Sequence, residues 1–200
     1  IERAIRDHED RLDQAGANTV SFFYYSGHGA NDSEGAFGCE NYMIPVNAPI
    51  LSVRDLKVDA VPLEDAIVGF SRARVSFLVF DACRDFPFSK TRGRSLSRGF
   101  TIVPEQQGTF IAFSSAPGEV AFDDSDYAVI LAEELRAPGK SHLDVFSDVR
   151  SRVNAISPDG QFPWSRDGVL GRFVFKEGPP QPQPVANLVD PAVQVAAFER

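Results

Sequence analysis

Three stretches of this chain, "TVSFFYY" (residues 19–25), "VSFLVF" (75–80) and "TFIAFS" (109–114), are apolar at nearly every position. A strand with one wet face alternates apolar and polar residues. A strand buried on both faces does not, and such strands come in parallel sheets sandwiched between helices. The segments between them carry helical periodicity. Residues 1–15 place Ile1, Ile5, His8 and Leu12 three or four apart, with Gly16 as a stop, and "PLEDAIVGFSRA" sets Leu63, Ile67 and Phe70 on one face. "SDYAVILAEELRAPG" reads as a helix ended by Pro138 and Gly139. "SHLDVFSDVRSRVNAI" opens with Ser141 and Asp144 at capping-box spacing and puts Leu143, Phe146, Val149, Val153 and Ile156 on one side. Strands alternating with helices predict the α/β class: a mostly parallel central sheet flanked by helices in three layers.

Smaller pieces fill in the outline. "ENYMIPV" and "PILSV" read as short strands of a hairpin off the main sheet, and "GRFVF" as the last strand. "SKTRGRSLSRGF", residues 89–100, holds four basic residues and no acid and reads as a loop. "KEGPPQPQP" has the composition of an extended polyproline spacer. The expected division is a folded domain over 1–176, a Pro-rich linker over 177–187 and a tail over 188–200 leading to a further segment.

The 200 residues suit a single domain, and the net charge of −8 speaks against nucleic acid and against an anionic membrane surface as main partners. No apolar run approaches the ~18 residues that span a bilayer. Two cysteines exclude a disulfide-dense secreted scaffold, so a reducing, cytoplasmic setting is the expectation. The chain opens at Ile1 without a leader and reads as an internal fragment, which leaves a signal peptide on the parent protein open.

Ligands of open α/β sheets bind beyond the carboxyl ends of the strands. Two polar motifs fall there. His28 follows the strand ending at Tyr25, and Cys83 follows the strand ending at Phe80. If those strands are neighbours, imidazole and thiol converge. Yet Cys83 stands in "DACRD", between two carboxylates, and neighbouring negative charge raises a thiol's pKa, the wrong direction for reactivity. Either Cys83 is an inert packing residue, or the acids serve something other than the thiol.

The order "SGHG" then "DACR", 55 residues apart from His28 to Cys83, resembles the caspase-like cysteine peptidases, whose histidine precedes the cysteine by about 50 residues. The closest resemblance within them is to the paracaspase and bacterial orthocaspase branch. It runs from about residue 1 to Phe175 and takes in "ENYMIPVNAP", "FIAFSSAPGEVAFDD" and "GRFVF". The resemblance implies Cys83 as nucleophile and His28 as general base and acid, with the backbone N–H groups of Gly29 and Cys83 holding the oxyanion. Such donors are worth roughly 3–4 kcal/mol in the transition state. Gly27 and Gly29 would let the backbone approach a scissile carbonyl closely.

The acids then have a role. Asp81 stands two residues before the cysteine, where caspases selecting acidic side chains carry Gln. A carboxylate-lined S1 pocket suits a P1 guanidinium or ammonium, a pairing worth roughly 4 kcal/mol at ~4 Å before desolvation. The resemblance implies Asp123 as a second pocket carboxylate, with Asp124 or Asp126 behind it. The expected activity is an endopeptidase cutting after Arg or Lys through a thioester. Lys90, Arg92, Arg94 and Arg98, where caspases carry a processing linker, are candidate self-cleavage residues.

Plainer readings stand beside these. Asp81 could cap the following turn, and Asp123 could be a solvated loop charge. Arg84 suits loop anchoring, and Cys39 an incidental thiol. His8 and His142 read as surface or partly buried helix residues, and Trp164 as core packing. No cofactor and no metal are expected: zinc-site spacing is absent, and calcium activation, known in some metacaspases, is not indicated by any residue. The resemblance further implies that the family's first β–α–β segment is missing here. The strand at 20–25 would then show an apolar edge, to be paired by the rest of the parent chain or a second chain. The rival readings are an idle caspase-like binding or regulatory module, and a non-peptidase cysteine hydrolase.

Overall fold

The computed structural model describes residues 1–32, 40–83, 97–98, 106–116, 126–157 and 160–179. The elements run α1 (Glu2–Ala15), β1 (Val20–Asp32), β2 (Glu40–Ile44), α2 (Val53–Asp59), β3 (Val61–Pro62), α3 (Leu63–Phe70), β4 (Val75–Cys83), β5 (Ser97–Arg98), β6 (Thr109–Phe113), α4 (Tyr127–Arg136), α5 (His142–Ile156) and β7 (Trp164–Asp167). One sheet has the order β3-β2-β1-β4-β6-β7, with β5 against β1. The three apolar runs form its parallel centre, β1 beside β4 and β4 beside β6, while β2, β3, β5 and β7 attach antiparallel.

Side-chain alternation sorts the centre into two cores. Leu78, Phe80, Ile111 and Phe113 face α1 and α3, meeting Ile5, Leu12, Leu63, Ile67 and Phe70. Phe77, Val79, Phe110 and Ala112 face α4 and α5, meeting Tyr127, Ile130, Leu131, Phe146, Val149 and Val153. This is why the runs are continuous in sequence: each face of the sheet has its own helices to bury against. Fully burying one such side chain contributes about 1.5–3 kcal/mol.

α1 stops at Gly16, whose φ of 82° favours glycine. Ser141 and Asp144 make the expected capping box at α5. The buried face of α5 is His142, Val145, Phe146, Val149 and Val153, whereas Leu143 and Ile156 are more than half exposed. The helix is thus turned slightly from the face its leucine and isoleucine predict. His142, expected near the surface, is wholly buried between Phe77 and Phe110, with ring centroids at 6.0 and 5.6 Å. Its Nδ1 accepts from the Phe173 N–H at 3.3 Å, and its Nε2 lies 3.5 Å from Asp167 Oδ2.

Other differences have equally local reasons. "ENYMI" joins the main sheet as β2 rather than a separate hairpin, and "PILSV" gives way to α2, capped by Ser52, whose hydroxyl accepts from the Asp55 N–H. "GRFVF" is not the last strand. It makes one isolated bridge, Val174 to Ser141, and instead packs Phe173 and Phe175 on Phe77 at 4.9 and 4.6 Å. The last strand among the described residues is "WSRD", on the sheet's edge, where polar residues are tolerated. The "KEGPPQPQP" spacer beyond residue 179 and the tail lie outside the described residues. No helix among the described residues is long and apolar enough to cross a membrane.

Candidate active site

β1 does not turn after Tyr25. It continues through Asp32, because β2 supplies a second ladder: His28 pairs with Ile44 and Gly29 with Met43. His28 therefore lies on the strand itself rather than after its end. β4 likewise runs on to Cys83. The parallel register between β1 and β4 places Ser26 opposite Asp81, Gly27 opposite Ala82 and His28 opposite Cys83. Facing backbone positions of neighbouring strands are separated by about the 4.8 Å interstrand spacing. His28 alternates with Phe22 and Tyr24, which stand opposite Phe77 and Val79, so it lies on the α4–α5 side. His28 is exposed there, at the carboxyl edge of the sheet.

Within "YYSGHG" the tyrosines and the first glycine have structural tasks. Tyr25 points to the α1–α3 side, where its hydroxyl donates to the His28 carbonyl at 2.7 Å and accepts from the Ile44 N–H at 3.2 Å. It thereby pins the backbone of His28 against β2. Its ring crosses Gly27 so closely that a Cβ there would lie 2.7 Å from Tyr25 Oη. Gly27 is needed for the phenol, a reason the sequence alone did not supply. Gly29, the candidate oxyanion donor, is buried in the strand one residue past His28.

Asp81 is 8% exposed. Tyr24, opposite Val79 and so diagonal to Asp81 on the same face, donates its hydroxyl to Asp81 Oδ2 at 2.7 Å. The buried carboxylate accordingly binds a phenol, and the turn it could cap lies outside the described residues. Burial raises the Tyr127 phenol well above its usual range, and the negative field of Asp81 adds to that. Asp81 thus acts electrostatically on the first residue of α4. Asp126, immediately before it, is exposed and makes no capping bond of its own. Sequence reasoning missed Tyr24. The only signal was its position: four residues before His28, it falls two before the residue that faces Asp81.

Arg98, in β5, pairs with Ala30, two positions along β1 from His28. Asp123, Asp124, Lys90, Arg92, Arg94, Arg84 and Cys39 lie outside the described residues. His8 is half-buried on α1, with Nε2 2.8 Å from Ser21 Oγ and its ring edge-on to Phe70. Burial, with the Arg11 charge, lowers its pKa. It belongs to the opposite face from His28. Trp164 stacks near Phe113 at 5.9 Å with the Arg166 guanidinium 5.0 Å from its ring. Among the described residues no three His, Cys, Asp or Glu side chains cluster as metal ligands would.

A search of curated proteins finds no match. Solved structures with this arrangement include protein GSU0716 from Geobacter sulfurreducens (TM-score 0.56, 11% identity, covering 90% of this chain and 77% of that one). Caspase-1 from Spodoptera frugiperda aligns with TM-score 0.51 at 16% identity, over 88% of this chain and 71% of that one. A second structure, of pro-Sf-caspase-1, gives 0.54 at 16% identity, over 88% and 72%. At such identities these show the fold. The family model for the caspase domain matches residues 1–174, a span that includes both the His28 and the Cys83 strands, and the chain belongs to that family of cysteine-peptidase folds.

Proposed function

We propose that this chain is a cysteine endopeptidase that cuts after Arg or Lys, of the paracaspase or orthocaspase kind. The observation that carries the reading is the register of β1 on β4, with His28 facing Cys83 at the carboxyl edge of a parallel sheet. A free thiol is only a few per cent thiolate at neutral pH, and a neighbouring imidazole raises the reactive fraction. In the proposed reaction His28 takes the Cys83 proton and the sulfur bonds to the scissile carbonyl carbon. The oxyanion that forms accepts from the N–H groups of Gly29 and Cys83. The C–N bond breaks as His28 returns the proton to the departing amine, leaving a thioester. Water, deprotonated by His28, then attacks the thioester carbon, releases the acid and restores the thiol.

Asp81 gives the reading its specificity. A nearly buried carboxylate on the nucleophile's strand, two residues upstream, attracts a cation and repels an acidic side chain. Asp126, with Asp123 and Asp124, is proposed to add to the same negative field. The sheet is proposed to be completed along β1. Residues 20–27 pair only with β4 among the described residues, and Val20, Phe22 and Tyr24 stay 38–39% exposed on one face. A further strand of the parent protein, or a second chain, would cover that edge.

The test is turnover of matched fluorogenic peptides carrying Arg, Lys or Asp at P1. Wild type should cleave the Arg and Lys peptides, Cys83→Ala should cleave none, and His28→Ala should lose at least about a hundredfold. Cleavage only after Asp overturns the specificity. Undiminished cleavage by Cys83→Ala overturns the mechanism.

A further inference from the structure

Tyr24 sits where a residue governing cation recognition would have to sit. Tyr24 is 38% exposed beside Asp81, which is 8% exposed, and its hydroxyl donates to the Asp81 carboxylate at 2.7 Å. Both stand on the sheet face that His28 shares. The contact bridges adjacent strands across 57 residues of sequence, so it exists only in the folded sheet. Two consequences follow from its chemistry. A hydrogen bond to Oδ2 restricts the plane of the Asp81 carboxylate. And an exposed aromatic face next to a carboxylate offers a planar guanidinium both stacking and paired hydrogen bonds, whereas a compact ammonium uses chiefly the charge.

We propose that Tyr24 is a positioning residue for the Asp81 pocket: it orients the carboxylate through its hydroxyl and, through its ring, makes the enzyme prefer Arg over Lys at P1. This rests on the peptidase reading above and deepens it. The proposed effect of Tyr24 falls on substrate binding and on discrimination between the two cations.

The test compares wild type, Tyr24→Phe and Tyr24→Leu on matched Arg and Lys peptides, with alkylation of Cys83 by iodoacetamide as a readout independent of the pocket. Wild type should favour Arg. Tyr24→Phe should raise KM for the Arg peptide about tenfold, the order of a lost hydrogen bond to a charged group, with kcat within about twofold. Tyr24→Leu should in addition bring the Arg-to-Lys ratio of kcat/KM close to one. Alkylation rates should match wild type in both variants. An unchanged KM in Tyr24→Phe, a kcat loss with KM unchanged, or slowed alkylation overturns the proposal while leaving the peptidase reading intact. A wild type that cleaves neither basic peptide overturns both.

Discussion

At the scale of single residues, the site is built by two adjacent tyrosines that point to opposite faces of one strand. Tyr24 reaches across to Asp81, and Tyr25 folds back to hold the His28 carbonyl. The second contact requires that position 27 carry no Cβ, since one would lie 2.7 Å from the hydroxyl and 3.0 Å from Cζ. Gly27→Ala should therefore cost about 1–3 kcal/mol of stability and lower turnover by displacing His28. In a Tyr25→Phe background, where the nearest atom is gone, the added cost of Gly27→Ala should shrink. Thermal melts of the four proteins in a double-mutant cycle measure this, and strictly additive losses would contradict it. These contacts also mark what a sequence conceals. "YYSGHG" shows its histidine and its glycines to any reader, but the reason for Gly27 is a side chain that doubles back. The partner of Tyr24 becomes visible only when the strand register is known.

At the scale of elements, helices α4 and α5 are locked by charge as well as by apolar packing. Glu134, 6% exposed on α4, accepts from Arg152 of α5 at 2.7 Å and also pairs with Lys140, which in turn reaches Asp148. Burial alone would raise the Glu134 pKa, but the hydrogen bonds from Lys140 and Arg152 outweigh it and hold the carboxyl below its ordinary 4.5. A carboxyl depressed in the folded state adds stability that is complete above its unfolded value and disappears as pH falls through its folded value. Glu134→Gln should thus destabilise the chain at pH 7, by about 1–2 kcal/mol for the charged hydrogen bonds lost. The gap from wild type should close as pH drops below about 4.5. Melts across pH 3–7 give the comparison, and a gap constant with pH would contradict it. The elements themselves were mostly legible. Continuous apolar runs announced β1, β4 and β6, and the capping box announced α5. What escaped was set by non-local pairing. β1 extends past its glycines because β2 lies against it, and "WSRD" becomes a strand because β6 offers an edge. The more apolar "GRFVF" spends its phenylalanines on the core around Phe77.

At the scale of the whole molecule, the sheet does one thing for function: it brings residues 55 apart in sequence to facing positions at its carboxyl edge, with an anionic residue one alternation back on the same face. The neighbourhood of strands was the condition that the sequence left open, and parallel pairing of β1 with β4 meets it. In the proposed reading the negative groups around that edge serve the substrate rather than the thiol, and a bound cation would offset their field at Cys83. The most direct measurement is intact-mass analysis after exposure to a thiol-reactive probe carrying Arg at P1, beside an otherwise identical probe carrying Asp. One Arg-probe adduct per chain is expected, located at Cys83, absent from Cys83→Ala, strongly slowed in His28→Ala and in Asp81→Asn, and no adduct from the Asp probe. Equal labelling by both probes, or labelling at Cys83 that is indifferent to His28, would contradict it.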